Sequence, residues 1–144
     1  MISRAVHFLL VEDDDDHADL IKFGLLAKNG VPKTVDRVRD GEEALAYLKR
    51  SGEFGDRPRP NVVLLDLKLP KVDGHEVLAA IKSDANLRSI PVVVLTTSEA
   101  PEDKAKAYSA YANSYLAKPA DFNEFKQMIK DLSQYWAMWN QRLS

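Results

Sequence analysis

Five carboxylates, Glu12, Asp13, Asp14, Asp15 and Asp16, stand in a row directly behind the apolar run "AVHFLLV". Adjacent like charges repel in a compact chain, so such a run either solvates a loop or faces something positive. Other chemically capable residues also close apolar runs. Asp66 ends "NVVLLD", Thr96 is followed by Thr97 and Ser98 at the end of "IPVVVLTTS", and Lys118 ends "SYLAK". Brought together, the carboxylates would offer hard oxygen ligands to a small divalent cation. The hydroxyl and the ammonium would suit the oxygens of a phosphoryl group. A calcium-binding EF-hand loop does not fit: counted from Asp13, its turn glycine would fall on Ala18 and its twelfth-position glutamate on Gly24. Asp14, Asp15 and Asp16 are read as capping or solvating the helix that follows, which leaves Glu12 and Asp13 facing the cation.

The elements that must position these residues alternate. The runs 5–11, 61–66 and 90–96 are nearly continuous in apolar residues, as parallel strands covered on both faces should be. "TVDRV" and "SYLAK" are weaker runs that supply a second and a fifth strand in chain order. Between them lie helical stripes: Leu20, Ile21, Gly24 and Leu25, then Ala44, Leu45 and Leu48, then Val77, Leu78 and Ile81. "NG" at 29–30 is read as the stop of the first helix. The Ala-rich "EDKAKAYSAYA" makes a fourth helix, less decisively patterned. "SGEFGDRPRPN" (51–61) reads as a surface loop entering the third strand. This alternation predicts an α/β fold with a five-stranded, doubly wound parallel sheet, and such sheets form their sites outside the carboxyl ends of the strands.

At 144 residues with 45% apolar content, the chain has the size of one ordinary domain with a proper core. A formal net charge of −2 gives no basic footprint for nucleic acid. Without cysteine there is no disulfide scaffold, thiol catalysis or Cys-ligated zinc site. The N-terminal apolar run is too short for a signal peptide or a membrane span, so the cytoplasm is the expected compartment. His7 is expected in the core, His17 and His75 on helix surfaces, and the three form no ligand cluster.

Taken as an ordered set, "LLVEDD", "VVLLDLKLPKVDGHEVL", "IPVVVLTTS" and "NSYLAKPAD" strongly resemble the receiver domain of two-component response regulators, over roughly residues 6 to 132. The resemblance implies a flavodoxin-like sheet of order 2-1-3-4-5. It makes Asp66 the phosphoacceptor, attacking the phosphohistidine of a partner histidine kinase or phosphotransfer protein. Glu12, Asp13, Asp66 and the backbone carbonyl of Lys68 would hold Mg²⁺, or Mn²⁺ in its place. Lys118 and Thr96 would bind the phosphoryl oxygens, and Tyr115 would be the switch aromatic that follows Thr96 inward. Thr97, Ser98 and Lys68 stand where many receivers carry other residues, along the path of the hydrolytic water.

Two other classes use some of the same residues. A haloacid-dehalogenase-type phosphatase needs a second Asp two residues beyond the nucleophile, where this chain has Lys68. A pseudo-receiver would be expected to have lost one or more of the five site residues, and all are present.

Phe122, Phe125, Ile129, Leu132, Trp136, Trp139 and Leu143 recur at alternating spacings of three and four, a stripe of about 22 residues or roughly 33 Å of helix. Residues 1–132 are expected to form the receiver, and 133–144 to extend its last helix within the same domain. Trp136, Trp139 and Leu143 would then lie beyond the sheet as a homodimer arm. No output domain is expected after residue 132. The long loop 51–61, the fourth strand and the aromatic tail resemble most the stand-alone receivers paired with bacterial phytochrome histidine kinases, with an unknown protein downstream.

Overall fold

A computed structural model describes residues 5–28 and 30–141. Five strands, β1 (Val6–Val11), β2 (Lys33–Val38), β3 (Val62–Leu65), β4 (Val92–Thr96) and β5 (Ser114–Ala117), form one sheet of order β2-β1-β3-β4-β5. All four pairings are parallel, with Val11 opposite both Val38 and Leu65, and Thr96 opposite Ala117. Every residue of β1, β3 and β4 is buried, which explains their unbroken apolar runs: helices cover both faces. β2 and β5 lie at the sheet edges and are only partly buried, hence their weaker patterns.

The helices divide between the faces. α1 (Asp15–Leu25) and α5 (Phe122–Gln134) share a core with Phe8, Leu10, Leu64 and Leu95. α2 (Gly41–Leu48), α3 (Gly74–Ser83) and α4 (Pro101–Ser109) cover Leu9, Val11, Val63, Leu65 and Val94 on the other face. Capping sets where they begin. Asp14 accepts from the His17 amide at 3.0 Å, Asp40 from that of Glu43 at 2.8 Å, and Asp121 from that of Asn123 at 2.7 Å. Pro101 starts α4, which buries only Ala107.

α1 and α5 meet at Gly24, where a Cβ would lie 2.5 Å from Ile129 Cγ2, so the absent side chain is what lets the two helices close. Gly41 and Gly74 work against backbone instead: a Cβ on either would strike the β3–α3 loop, at the Val72 carbonyl for Gly41 and at the Asp66 carbonyl and Leu67 Cα for Gly74. That loop is thereby folded onto the starts of two helices.

Three expectations are corrected. α1 ends at Leu25, well before "NG", because its buried stripe stops there and the Leu26 amide closes on the Lys22 carbonyl at 3.0 Å; Gly30, at φ +85°, turns the chain toward β2 instead, and Asn29 lies outside the described residues. The terminal helix does not run on as one α-helix. It passes into a π-helical turn at Tyr135–Trp139, closed by the Asn140 amide on the Tyr135 carbonyl at 2.7 Å, and becomes extended at Asn140. Trp136 is consequently a core residue, in the cluster that holds Ile129 and Leu132, whereas Trp139 is 70% exposed and Leu143 lies outside the described residues. Phe122, at the other end of the stripe, is also exposed. The loop 51–61 lies on the surface as expected, with a short 3-10 turn at Gly52–Phe54 that sets Phe54 against the Tyr47 ring.

Candidate functional site

Because all five strands are parallel, their carboxyl ends share one edge of the sheet, and the residues just past them meet there. Glu12 follows β1, and its amide donates to the Val38 carbonyl at 3.1 Å; Asp66 follows β3, and its amide donates to the Val11 carbonyl at 3.1 Å. Thr96 ends β4 and is fully buried, and Lys118 follows β5 with its amide on the Thr96 carbonyl at 2.7 Å. Backbone ladder bonds thus fix the bases of these side chains before any of them interact.

Lys118 is the centre of charge. Its ammonium donates to Glu12 Oε1 at 2.5 Å and to Asp66 Oδ2 at 3.2 Å, with all three side chains almost fully removed from solvent. Burial pushes the Glu12 carboxyl up to about 7, against the lowering effect of the Lys118 hydrogen bond. Asp13 is exposed beside this buried pair, and one oxygen from each of Glu12, Asp13 and Asp66 lies within 4.8 Å of the others. Three carboxylates at that separation fit a hard divalent cation of the Mg²⁺ or Mn²⁺ kind, with solvent on the Asp13 side to complete its coordination. Lys68 is exposed, and its amide donates to Asp66 Oδ1 at 3.3 Å, which fixes the first turn of the loop bearing the expected carbonyl ligand.

The remainder of the acidic run is divided much as expected. Asp14 caps α1. Asp15 does more than solvate: it accepts from Arg37 Nη1 at 2.9 Å and Arg39 Nη1 at 2.7 Å, and Arg37 Nε also donates to the Glu12 carbonyl at 2.8 Å. Two guanidinium groups from β2 and the residue after it therefore offset part of the like-charge repulsion.

A second network joins the hydroxyl side of the site to α3 and α4. The Ser98 amide donates to Thr96 Oγ1 at 3.3 Å, and the Ser98 hydroxyl to Asp103 Oδ2 at 2.5 Å. Asp103 Oδ1 meets His75 Nε2 at 3.0 Å, and the half-buried Tyr115 donates its hydroxyl to the Ser98 carbonyl at 2.9 Å. The Ser98 hydroxyl, then the His75 ring, hold the Asp103 carboxyl below its usual range. His75 is thus buried, not a helix-surface residue; it lies three residues before Leu78 on the stripe that α3 buries.

His17 is also misplaced by a surface reading. It sits in the first turn of α1, half-buried, with Nδ1 2.9 Å from Lys118 Nζ. The spacing contains the signal: His17 is one turn from Asp13 and one turn before the buried Ile21. His7, by contrast, is the expected core histidine. Thr34 Oγ1 lies 2.7 Å from its Nδ1, the Tyr47 hydroxyl lies 2.7 Å from its Nε2, and that hydroxyl donates to Asp36 at 2.6 Å.

The comparisons with known proteins agree with this arrangement. The sequence matches the response regulator receiver domain over residues 8–130. It is 50% identical over 132 residues to the probable methanogenesis regulatory protein FilR2 of Methanothrix harundinacea, covering 92% of this chain and 84% of that one. It is 41% identical over 128 residues to the response regulator Rcp1 of Synechocystis, covering 89% and 86%, and the structure of the Mn²⁺-bound form of Rcp1 superposes with a TM-score of 0.92 over 96% and 99% of the two chains. The phosphorylated cyanobacterial phytochrome response regulator RcpA superposes with a TM-score of 0.93 at 42% identity, over 97% of this chain and 99% of that one. With five parallel strands in the order 2-1-3-4-5 and this acid, hydroxyl and ammonium edge, the chain belongs to the response regulator receiver family.

Proposed function

We propose that Asp66 accepts a phosphoryl group from the phosphohistidine of a partner histidine kinase, or of a phosphotransfer protein, and that the modified site switches a surface for protein–protein signalling. The observation that carries this reading is the Lys118 ammonium held 3.2 Å from an Asp66 oxygen, inside a group of three carboxylates able to hold a divalent cation. An Asp66 oxygen attacks phosphorus, the P–N bond to the imidazole breaks, and the electron pair leaves on the imidazole nitrogen, giving an acyl phosphate. Glu12, Asp13, Asp66 and the Lys68 carbonyl would hold Mg²⁺, or Mn²⁺, which supplies charge neutralisation for a carboxylate approaching a phosphoryl dianion. Lys118 exchanges its bond to Asp66 for one to a phosphoryl oxygen, and Thr96 offers its hydroxyl to another. The Ser98 amide on Thr96 and the Tyr115 hydroxyl on Ser98 tie any movement of Thr96 to Tyr115, the route from site to surface.

On this reading the protein is a phosphoacceptor, and its only turnover is of its own aspartyl phosphate. Residues 1–132 form the receiver and 133–144 extend it. The cytoplasm is its compartment; among the described residues no helix is long and apolar enough to cross a membrane. A bacterial phytochrome as the kinase's sensor is supported by the likeness to RcpA, and phosphotransfer from a phytochrome kinase, compared with unrelated kinases, tests it. A homodimer through the terminal turn is supported by Tyr135, Met138 and Trp139, all exposed; sedimentation that finds only monomer at high concentration, with and without a phosphoryl analogue, refutes it.

The central test is phosphate-affinity gel electrophoresis after incubation with a small-molecule phosphodonor, with and without Mg²⁺, on the wild type and Asp66→Ala. The expected result is a slowed band that needs both Mg²⁺ and Asp66. Its absence under every condition would favour a pseudo-receiver.

A further inference from the structure

The three protons of the Lys118 ammonium meet three acceptors: Glu12 Oε1 at 2.5 Å, Asp66 Oδ2 at 3.2 Å and His17 Nδ1 at 2.9 Å. An acceptor at Nδ1 places the imidazole proton on Nε2, so His17 receives this bond as a neutral ring. Two elements fix the ring. The Asp14 carboxylate captures the His17 amide at the start of α1, and Phe125 of α5 packs edge-on, its ring centroid 5.8 Å away at an interplanar angle of 63°.

The three acceptors differ in what phosphoryl transfer does to them. The Asp66 carboxylate becomes an acyl phosphate whose negative charge sits on the phosphoryl oxygens instead of on Oδ2, and Glu12 is shared with a divalent cation. His17 is chemically unchanged throughout. We propose that His17 is a positioning residue for Lys118: it keeps one ammonium proton engaged while the bond to Asp66 is exchanged for a bond to a phosphoryl oxygen. Its neutrality matters. A third carboxylate here would neutralise the ammonium and add repulsion toward the incoming dianion, whereas an imidazole acceptor aims the ammonium and leaves its positive charge available.

This inference rests on the reading of Asp66 as phosphoacceptor, and the experiment separates the two. Wild type, His17→Ala, His17→Asn and His17→Gln are compared by ¹⁹F NMR titration with beryllofluoride at saturating Mg²⁺, by the rate of phosphorylation with acetyl phosphate, and by calorimetric Mg²⁺ affinity alone. Losing one hydrogen bond to a charged group should weaken beryllofluoride binding and slow phosphorylation by about tenfold in His17→Ala. Mg²⁺ affinity should stay within about threefold, because His17 is not a ligand. The Asn side-chain oxygen falls near the Nδ1 position and should restore most of the loss; Gln, which reaches toward Nε2, should not. Equal behaviour of wild type and His17→Ala overturns the proposal, as does His17→Asn no better than His17→Gln, a comparison that holds even if His17→Ala fails to fold. A wild type that takes neither beryllofluoride nor phosphate overturns the Asp66 reading, and this inference with it.

Discussion

Replacing Lys118 with Met keeps most of the side-chain volume and removes the ammonium, so its consequences can be worked from the contacts. Glu12 and Asp66 lose their shared cation while remaining 1% and 10% exposed. Deleting one partner of a buried pair costs about 3–5 kcal/mol, and the lower figure applies here because Asp66 retains some solvent. For a domain of this size, about 3 kcal/mol corresponds to a fall in melting temperature of roughly 6–12 °C. That loss should be largest in chelator. With the ammonium gone, a divalent cation no longer competes for the same oxygens, and a tenfold gain in affinity would return about 1.4 kcal/mol in excess Mg²⁺. Thermal melts of wild type and Lys118→Met, in EDTA and in excess Mg²⁺, should therefore show a gap that narrows by about half when the cation is added. An equal gap in both conditions would refute the argument that ammonium and cation act on the same carboxylates.

Gly24→Ala forces a methyl group against Ile129 and should destabilise the protein by about 1–3 kcal/mol, read as a lower denaturant midpoint. Ile129→Val in the same chain should not recover it, because valine keeps both the Cβ and the Cγ2 that meet the new methyl group. Burial lowers the pKa of His7 from 6.5, so below about that pH the unfolded chain takes up a proton before the folded one does. Stability should fall as pH drops through 6.5 toward the depressed folded value, and His7→Gln should flatten that part of a stability–pH profile. Asp103→Asn weakens the link from Ser98 to His75, and amide exchange in residues 98–109 should quicken while the sheet stays protected. Trp136→Ala should cost about 3–5 kcal/mol and Trp139→Ala less than about 0.5 kcal/mol, measured by denaturant unfolding of dilute protein.

The sheet was legible because β1, β3 and β4 bury both faces and so announce themselves as apolar runs, and the shared edge because Glu12, Asp66 and Lys118 stand one step beyond β1, β3 and β5 while Thr96 is the last residue of β4. Trp136 was misread for a specific reason. Spacings of three and four presume an α-helix throughout, whereas the π turn at Tyr135–Trp139 inserts extra residues per revolution and rotates Trp139 off the stripe that Trp136 still occupies. His17 and His75 were misread by residue type, although each stands one helical turn before a buried residue, Ile21 and Leu78; what spacing does not supply is the partner. Those partners, Lys118 and Asp103, are 101 and 28 residues away, a distance that local periodicity does not span.

The two long connections around β3 differ in what they would tolerate as the sequence changes. The β3–α3 loop is pressed against Gly41 and Gly74, the first residues of α2 and α3, with no space for even one added carbon between them and the backbone at Asp66, Leu67 and Val72. Lengthening that segment would push the Asp66 backbone off its register with β1, so its length is under the same constraint as the chemistry. The 51–61 segment packs on the core through Phe54 and is tied to β1 at its far end by Asn61, whose amide donates to the His7 carbonyl at 2.8 Å, and residues 55–59 between them are exposed. A reporter peptide or a small inserted domain belongs there, at residues 55–58, where growth of the chain would leave the strand ends where they are.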